Sequence, residues 1–307
     1  MKGLELCEKY FHEVGFAALR RECGDLVDRV AAGLVGDGSE CYGYDDATSR
    51  DHDWGPGFCV WMTAEDYVAS GEKAQVVYDN LPTSFDGYER LASQWGGGRV
   101  GAMAIGPFYE RFIGRGGPPE SLREWLLIPD NAFAAATNGK IFHDSLGEFS
   151  KIRALLLEHY PDDVRLKKLA SRCMTTGQAG QYNFPRCAKR GEAYAAHHSE
   201  TKFSFDAMSM VFLLNRKYAP FYKWLHRGVR QLPLAGEETY GLITALVEAK
   251  EWEKKSELIE SISRVIIDEL RRQGLSDSDS DYLPDHGPDV QARIGASEMS
   301  GLDVWVG

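Results

Sequence analysis

Apolar residues recur at three-to-four spacing from the start of the chain. Leu4, Cys7, Tyr10, Phe11 and Val14 fall on one helical face. After Gly15, the positions Leu19, Cys23, Leu26, Val27, Val30 and Leu34 continue the pattern and predict a second helix over 17–34. Gly36-Asp37-Gly38-Ser39 then breaks it. Asp53-Trp54-Gly55-Pro56-Gly57-Phe58-Cys59-Val60-Trp61-Met62 reads as a strand interrupted by a Gly-Pro bend. Thr63 is suited to cap the next helix, with Glu65 and Asp66 in its first turn, and that helix runs to about Asn80. Arg99 to Ile105 predicts another strand, and Asn138-Gly139 a turn into a short strand at Lys140-Ile141-Phe142. From about Phe149 the strands stop. Helical patterns follow over 150–159, 162–177, 184–199, 204–217, 219–231, 237–249 and 251–273. The expected architecture is α+β: a mixed sheet flanked by helices over 1–148, then an all-helical domain over 149–307.

Chemistry concentrates between the second helix and the first strand. Gly38-Ser39 is followed, twelve positions beyond Ser39, by Asp51-His52-Asp53. On a strand, alternate side chains project from one face, so Asp51 and Asp53 are expected there about 7 Å apart. Two carboxylates so placed can share one or two Mg²⁺ ions with phosphate oxygens. Glycine lets backbone N–H groups approach a phosphate, and the serine hydroxyl adds a donor. Residues 40–47 are expected to form a short helix facing that phosphate. His52, between the acids, is expected on the opposite side of the strand as a structural histidine. The competing reading is a capped loop with solvated acids, which is what isolated turn acids usually are.

Taken together, Gly-Ser followed by Asp-x-Asp at the opening of a strand resembles the nucleotidyltransferase superfamily with the DNA polymerase β-like fold. The longer string Gly38-Ser39-Glu40, Gly43-Tyr44-Asp45-Asp46 and Ser49-Arg50-Asp51-His52-Asp53-Trp54-Gly55-Pro56 resembles a bacterial family of that kind. Trp125-Leu126, Ile128-Pro129, Gly139 to Asp144, Gly180 to Asn183 and Leu214 to Trp224 extend the resemblance over most of the chain. It implies a nucleotidyltransferase-type N-terminal domain and a helical C-terminal domain, similar to aminoglycoside nucleotidyltransferases. The implied reaction moves a nucleoside monophosphate from a nucleoside triphosphate, ATP foremost, to a hydroxyl of a small-molecule acceptor, with Mg²⁺ and release of pyrophosphate. Gly38 and Ser39 are then expected on the β and γ phosphates, Asp51 and Asp53 on the metal, and Lys223 as a charge that neutralises the triphosphate. The superfamily usually adds a third acid on a neighbouring strand. Val100-Gly101-Ala102-Met103-Ala104-Ile105 has none, which leaves Glu110 and Asp144 as substitutes. That departure keeps a second expectation open: a nucleotide-binding sensor or regulatory protein that transfers nothing. A metal-dependent phosphohydrolase is a third.

Composition narrows the partners. A net charge of −11 without a long Lys/Arg run argues against a grip on nucleic acid and for a small molecule. No apolar run reaches membrane-span length, and Met1-Lys2-Gly3-Leu4-Glu5 lacks the apolar segment of a signal peptide. The six cysteines are scattered without a Cys-x-x-Cys pair, which points to reduced thiols in a cytoplasmic protein. Gly33, Gly36 and Gly38 do not make a dinucleotide fingerprint, and no Walker loop is present. Arg186, Lys189 and Arg190 share a helix face, either lining a cleft or solvated. Tyr182, Tyr218 and Trp224 are either core or a stacking surface for a base. Gly114 to Pro119 reads as a flexible loop, and Ser276 to Asp281 as a loop, because it lacks the glycine and terminal glutamate of a calcium loop.

Overall fold

The computed structural model describes residues 1–91 and 96–307. The chain divides into two compact units, Met1–Pro118 with Ala132–Glu158 and Pro119–Asn131 with His159–Gly307.

In the first unit, α1 (Gly3–Tyr10) and α2 (Phe16–Cys23) are joined by a π-helical turn at Phe11–Gly15. Gly24, at φ 61°, ends α2, and a 3-10 turn (Gly24–Asp28) leads into strand β1 (Ala31–Leu34). The stretch expected as one helix over 17–34 is therefore part helix and part strand. The reason is burial: all four β1 residues are buried. A strand covered on both faces shows no apolar–polar alternation and passes for more of the preceding helix.

Next come β2 (Cys59–Met62), α3 (Ala64–Asp79), the small hairpin β3 (Ser84–Phe85) and β4 (Tyr88–Glu89), β5 (Gly101–Ala104) and α4 (Ile105–Ile113). Helix α5 (Leu122–Leu127) belongs to the second unit, and α6 (Asp130–Thr137) starts there and ends in the first. The first unit closes with β6 (Lys140–Asp144) and α7 (Glu148–Leu157). Thr63 caps α3 as expected, accepting from the Asp66 N–H. The strand expected from residue 53 begins only at Cys59. Asp53 (φ 50°) and Gly55 (φ 130°) lie outside the β region, so neither can continue a strand backwards from Phe58. Asp51 and Asp53 are consequently not neighbours on one strand face.

The sheet runs β5-β2-β1-β6. Strand β1 is antiparallel to β2 and β6, while β2 and β5 are parallel, so the sheet is mixed. The β1–β6 register shifts between Ala32 and Gly33. There the backbones crowd: a Cβ on Gly33 would stand 2.4 Å from the Lys140 carbonyl oxygen. Phe11, Phe58 and Tyr78 pack tilted or edge-on along one side of the sheet. Trp61 of β2 stacks on Phe149 of α7, ring centroids 4.0 Å apart. That stack holds α7 in the first unit, so the division comes after Glu158 rather than at 148.

The second unit is helical: α8 (Asp162–Gly177), α9 (Phe184–Lys189), α10 (Ala193–Leu214), α11 (Tyr222–Val229), α12 (Gly236–Glu248), α13 (Trp252–Arg272), α14 (His286–Gln291) and α15 (Ser297–Ser300). Helix α8 packs against α5, α10 and α14. The break expected near 200 falls instead at Gly191 (φ 73°), and one helix of 22 residues follows it. The 276–281 segment is a loop held by Asp289, whose carboxylate accepts the N–H groups of Asp277 and Ser278 at 3.0 Å. The cysteines are all free thiols. Among the described residues no helix is long and apolar enough to cross a membrane. His159 is 4 % exposed, with its ring 4.7 Å from those of both Tyr160 and Tyr218. Burial pushes its pKa down to about 3.

Gly33→Ala should cost about 2 kcal/mol, because neither backbone beside it can retreat; urea midpoints of the two proteins measure this. His159 sets an acid limit. An unfolded histidine protonates near pH 6.5, and the folded one resists until about pH 3. Its contribution is intact above pH 6.5 and is lost as pH falls toward 3, by up to about 1.4 kcal/mol per pH unit. His159 has a left-handed backbone (φ 74°), which asparagine tolerates, so His159→Asn, which cannot titrate, should flatten that part of the stability–pH curve.

Candidate functional site

The chain leaves β1 through Val35 into a turn with two glycines, Gly36 and Gly38, both at φ 121°. Any other residue is strained there. A Cβ on Gly38 would also stand 2.1 Å from the Arg99 guanidinium and 2.7 Å from the Glu40 carboxylate. The Asn138 side chain clamps the turn like a strand partner. Its Oδ1 accepts the Gly36 N–H, and its Nδ2 donates to the Gly36 carbonyl, both at 2.8 Å. Ser39 opens a single 3-10 turn, Glu40–Tyr42, where a helix over 40–47 was expected. Its carbonyl accepts from the N–H groups of Tyr42 and Tyr44. Its half-buried hydroxyl caps nothing.

Arg99 joins this turn to the Asp51–Asp53 loop. Its Nε donates to the Asp37 carbonyl at 2.7 Å, Nη1 to the Asp53 carbonyl and Nη2 to the Glu40 carboxylate. The Arg99 and Glu40 side chains are 12 % and 7 % exposed. Burial works against the Arg99 charge, but the Glu40 carboxylate more than offsets it, and the pKa lies above the ordinary arginine value. Arg111 adds a second, more exposed cation, donating to the Asp37 carboxylate at 2.8 Å and to the Gly98 carbonyl. A small cleft is lined by Glu40, Asp53, Trp54, Arg90 and Arg99, among others. Cys7 lines it too, but burial pushes the thiols of Cys7 and Cys59 up to about 12, so neither supplies a thiolate nucleophile.

The residues singled out from sequence are only partly brought together. Gly38, Ser39 and Asp53 converge on the Arg99 neighbourhood, and Asp53 faces Gly96. Asp51 follows a 3-10 turn (Thr48–Arg50), is 64 % exposed, and sits 2.7 Å from His52 Nδ1. His52 is equally exposed, so it is no satisfied structural histidine on a strand face. Asp144 is consumed by structure: its oxygens accept the N–H groups of Gly147 and Ser150 at the start of α7. Glu110 is exposed on α4. The acid that joins the site is Glu40, which the sequence reading passed over as one letter of a motif. Asp45, 1 % exposed, is an anchor, accepting the Gly3 N–H at 2.8 Å and the Trp54 indole N–H. Lys223 lies in the second unit on α11, 5.0 Å from the Trp224 ring centroid. Arg186 lies over the Tyr182 ring and, with Lys189 and Arg190, is exposed; Tyr218 is core.

Asp51 and Asp53 as placed do not fit a shared Mg²⁺. The Asp51 carboxylate is exposed and turned to His52, and Arg99 places its guanidinium on the backbone carbonyl of Asp53. Among the described residues no three His, Cys, Asp or Glu side chains are placed to hold a metal.

Residues 125–225 match a family model, a domain of unknown function (DUF4037). The DUF4037 match covers about a third of the chain and begins beyond the Gly38–Asp53 segment. No curated protein and no solved structure matches.

Arg99→Met should destabilise by about 3–5 kcal/mol, because it strands the Glu40 charge, and Arg99→Met with Glu40→Met should recover most of that loss. Chemical denaturation of the two single variants and the double variant checks the coupling.

Proposed function

We propose that this chain is a nucleotidyltransferase of the DNA polymerase β-like type. It moves a nucleoside monophosphate from a nucleoside triphosphate, ATP foremost, to a hydroxyl of a small acceptor and releases pyrophosphate. The observation that supports this is the order of parts in the first unit: β1, a two-glycine turn ending in Ser39, one helical turn, then Asp51-x-Asp53 leading into the strand paired with β1. Domains matching DUF4037 are regarded as nucleotidyltransferase-like, which agrees. Backbone N–H groups of the Gly36–Ser39 turn, the Ser39 hydroxyl, Arg99 and Arg111 are suited to hold phosphates by charge-assisted hydrogen bonds. Acceleration then comes mainly from positioning and charge neutralisation. The part of Mg²⁺ in this reading rests on the resemblance alone, because the acids as placed do not fit the ion.

That misfit favours a second reading, binding without transfer. Purified protein incubated with each triphosphate, Mg²⁺ and a metabolite extract separates the two. Pyrophosphate release that drops roughly a hundredfold in Asp51→Asn and in Asp53→Asn is the expected outcome for a transferase. Saturable nucleotide binding with no pyrophosphate would leave the binding protein. Release of orthophosphate would point to a hydrolase instead.

A further inference from the structure

Arg165, Lys168 and Arg172 recur on α8 at spacings of three and four, so one helix face carries three cations. Two of them are nearly sealed from water, Arg165 at 5 % and Lys168 at 3 % exposure. Lys167 shows how the same helix satisfies a buried lysine. Its ammonium donates to Gln291 Oε1 and the Asp303 carbonyl, both at 2.7 Å. Lys168 has no such partners among the described residues. Its ammonium faces the Tyr160 ring, 4.8 Å from the centroid, with no carboxylate in salt-bridge reach. Nε and Nη1 of Arg165 make no hydrogen bond; Arg172 leaves Nε without one, while its Nη1 donates to the Gly307 carbonyl at 3.0 Å.

Two acids lie nearby, and the Asp130 charge also acts on Lys168. Asp130 Oδ1 accepts from the Tyr160 hydroxyl at 2.7 Å. Asp162 Oδ1 accepts from Arg216 at 2.6 Å and lies 3.5 Å from Arg165 Nε without hydrogen-bond alignment. Four cations thus face two carboxylates, in a chain whose net charge is −11. A buried charge without a counter-ion is among the costliest features a fold can keep. Arg216 and Asp162 are 49 % and 64 % exposed, so the cluster reaches solvent at that end.

We propose that this face of α8 binds the phosphoryl group of a small molecule, a dianion that supplies the two missing charges to Arg165, Lys168, Arg172 and Arg216. Guanidinium forks match phosphate oxygens, and a buried ammonium adds a point charge. These residues all lie within the stretch matched by DUF4037. The inference does not depend on nucleotide binding at the Gly36–Ser39 turn.

The probe is inorganic phosphate, added to the full chain and compared with sodium chloride of equal ionic strength. Phosphate at roughly ten times its dissociation constant should raise the melting temperature by about 3 °C. Lys168→Met and Arg165→Gln should abolish the rise, while Arg20→Ala, at an exposed arginine of the first unit paired with Asp28, should keep it. Without phosphate, Lys168→Met should melt no lower than the parent, because it removes a buried charge that no carboxylate bonds directly. An equal rise in the parent and both α8 variants would mean phosphate held elsewhere, such as the Gly36–Ser39 turn, or a general salt effect, and either overturns the α8 site. Calorimetric titration of the parent keeps the test open if a variant fails to fold, and the absence of saturable heat there overturns the site as well.

Discussion

The Arg99 guanidinium ties two segments of the first unit together, the turn after β1 through the Asp37 carbonyl and Glu40 carboxylate and the Asp51–Asp53 loop through the Asp53 carbonyl. Each segment is irregular and could not hold its shape alone. The turn after β1 has two glycines in a conformation other residues avoid, and the Asp51–Asp53 loop has no ladder of its own. A buried guanidinium has enough donors to serve all three acceptors, and the Glu40 carboxylate supports its charge where water cannot. The candidate site is thus a loop assembly locked by one cation, and the sheet beneath supplies its footing.

That arrangement explains which features could be read along the chain. The capped helix α3 and helix α8 were legible because their signals are local: a threonine cap in one, a clean periodicity between breakers in the other. β1 was hidden because it is buried on both faces, and hydropathy alone cannot separate such a strand from a helix. Helix α7 was legible over 150–159, but its place in the first unit was hidden, because that depends on Trp61 stacking on Phe149, a contact between residues distant in sequence. At the site, Gly38, Ser39 and Asp53 were identified from spacing. Glu40 was not, because its importance comes from Arg99, fifty-nine positions away. The strand geometry assumed for Asp51 and Asp53 failed at both, because Asp51 has a helical backbone and Asp53 a left-handed one, which aspartate tolerates but spacing does not reveal.

The two units handle charge differently. In the first, the buried arginine is matched to a buried glutamate, and the pair serves as structure. In the second, α8 places Lys167 among oxygens and leaves its neighbour Lys168 against an aromatic ring. Adjacent lysines on one helix thus show one cation satisfied by the fold and one kept in reserve. A fold that retains such an imbalance gives up stability, and natural proteins concentrate such costs where they bind something.

The Asn138 clamp carries a chemical consequence. Asn138 is followed by Gly139, the pairing in which a backbone nitrogen most readily attacks the side-chain amide and turns asparagine into aspartate or isoaspartate. Here the native fold restrains that reaction, because both ends of the amide are tied to Gly36 and the Gly139 N–H is held by the Cys41 carbonyl. The protection lasts only as long as the fold. Once the amide is lost, an oxygen would face the Gly36 carbonyl where a donor stood, and the turn could not re-form as before. The glycine turn therefore acts as a clock that runs only in the unfolded chain, and molecules that linger there age out of the functional population.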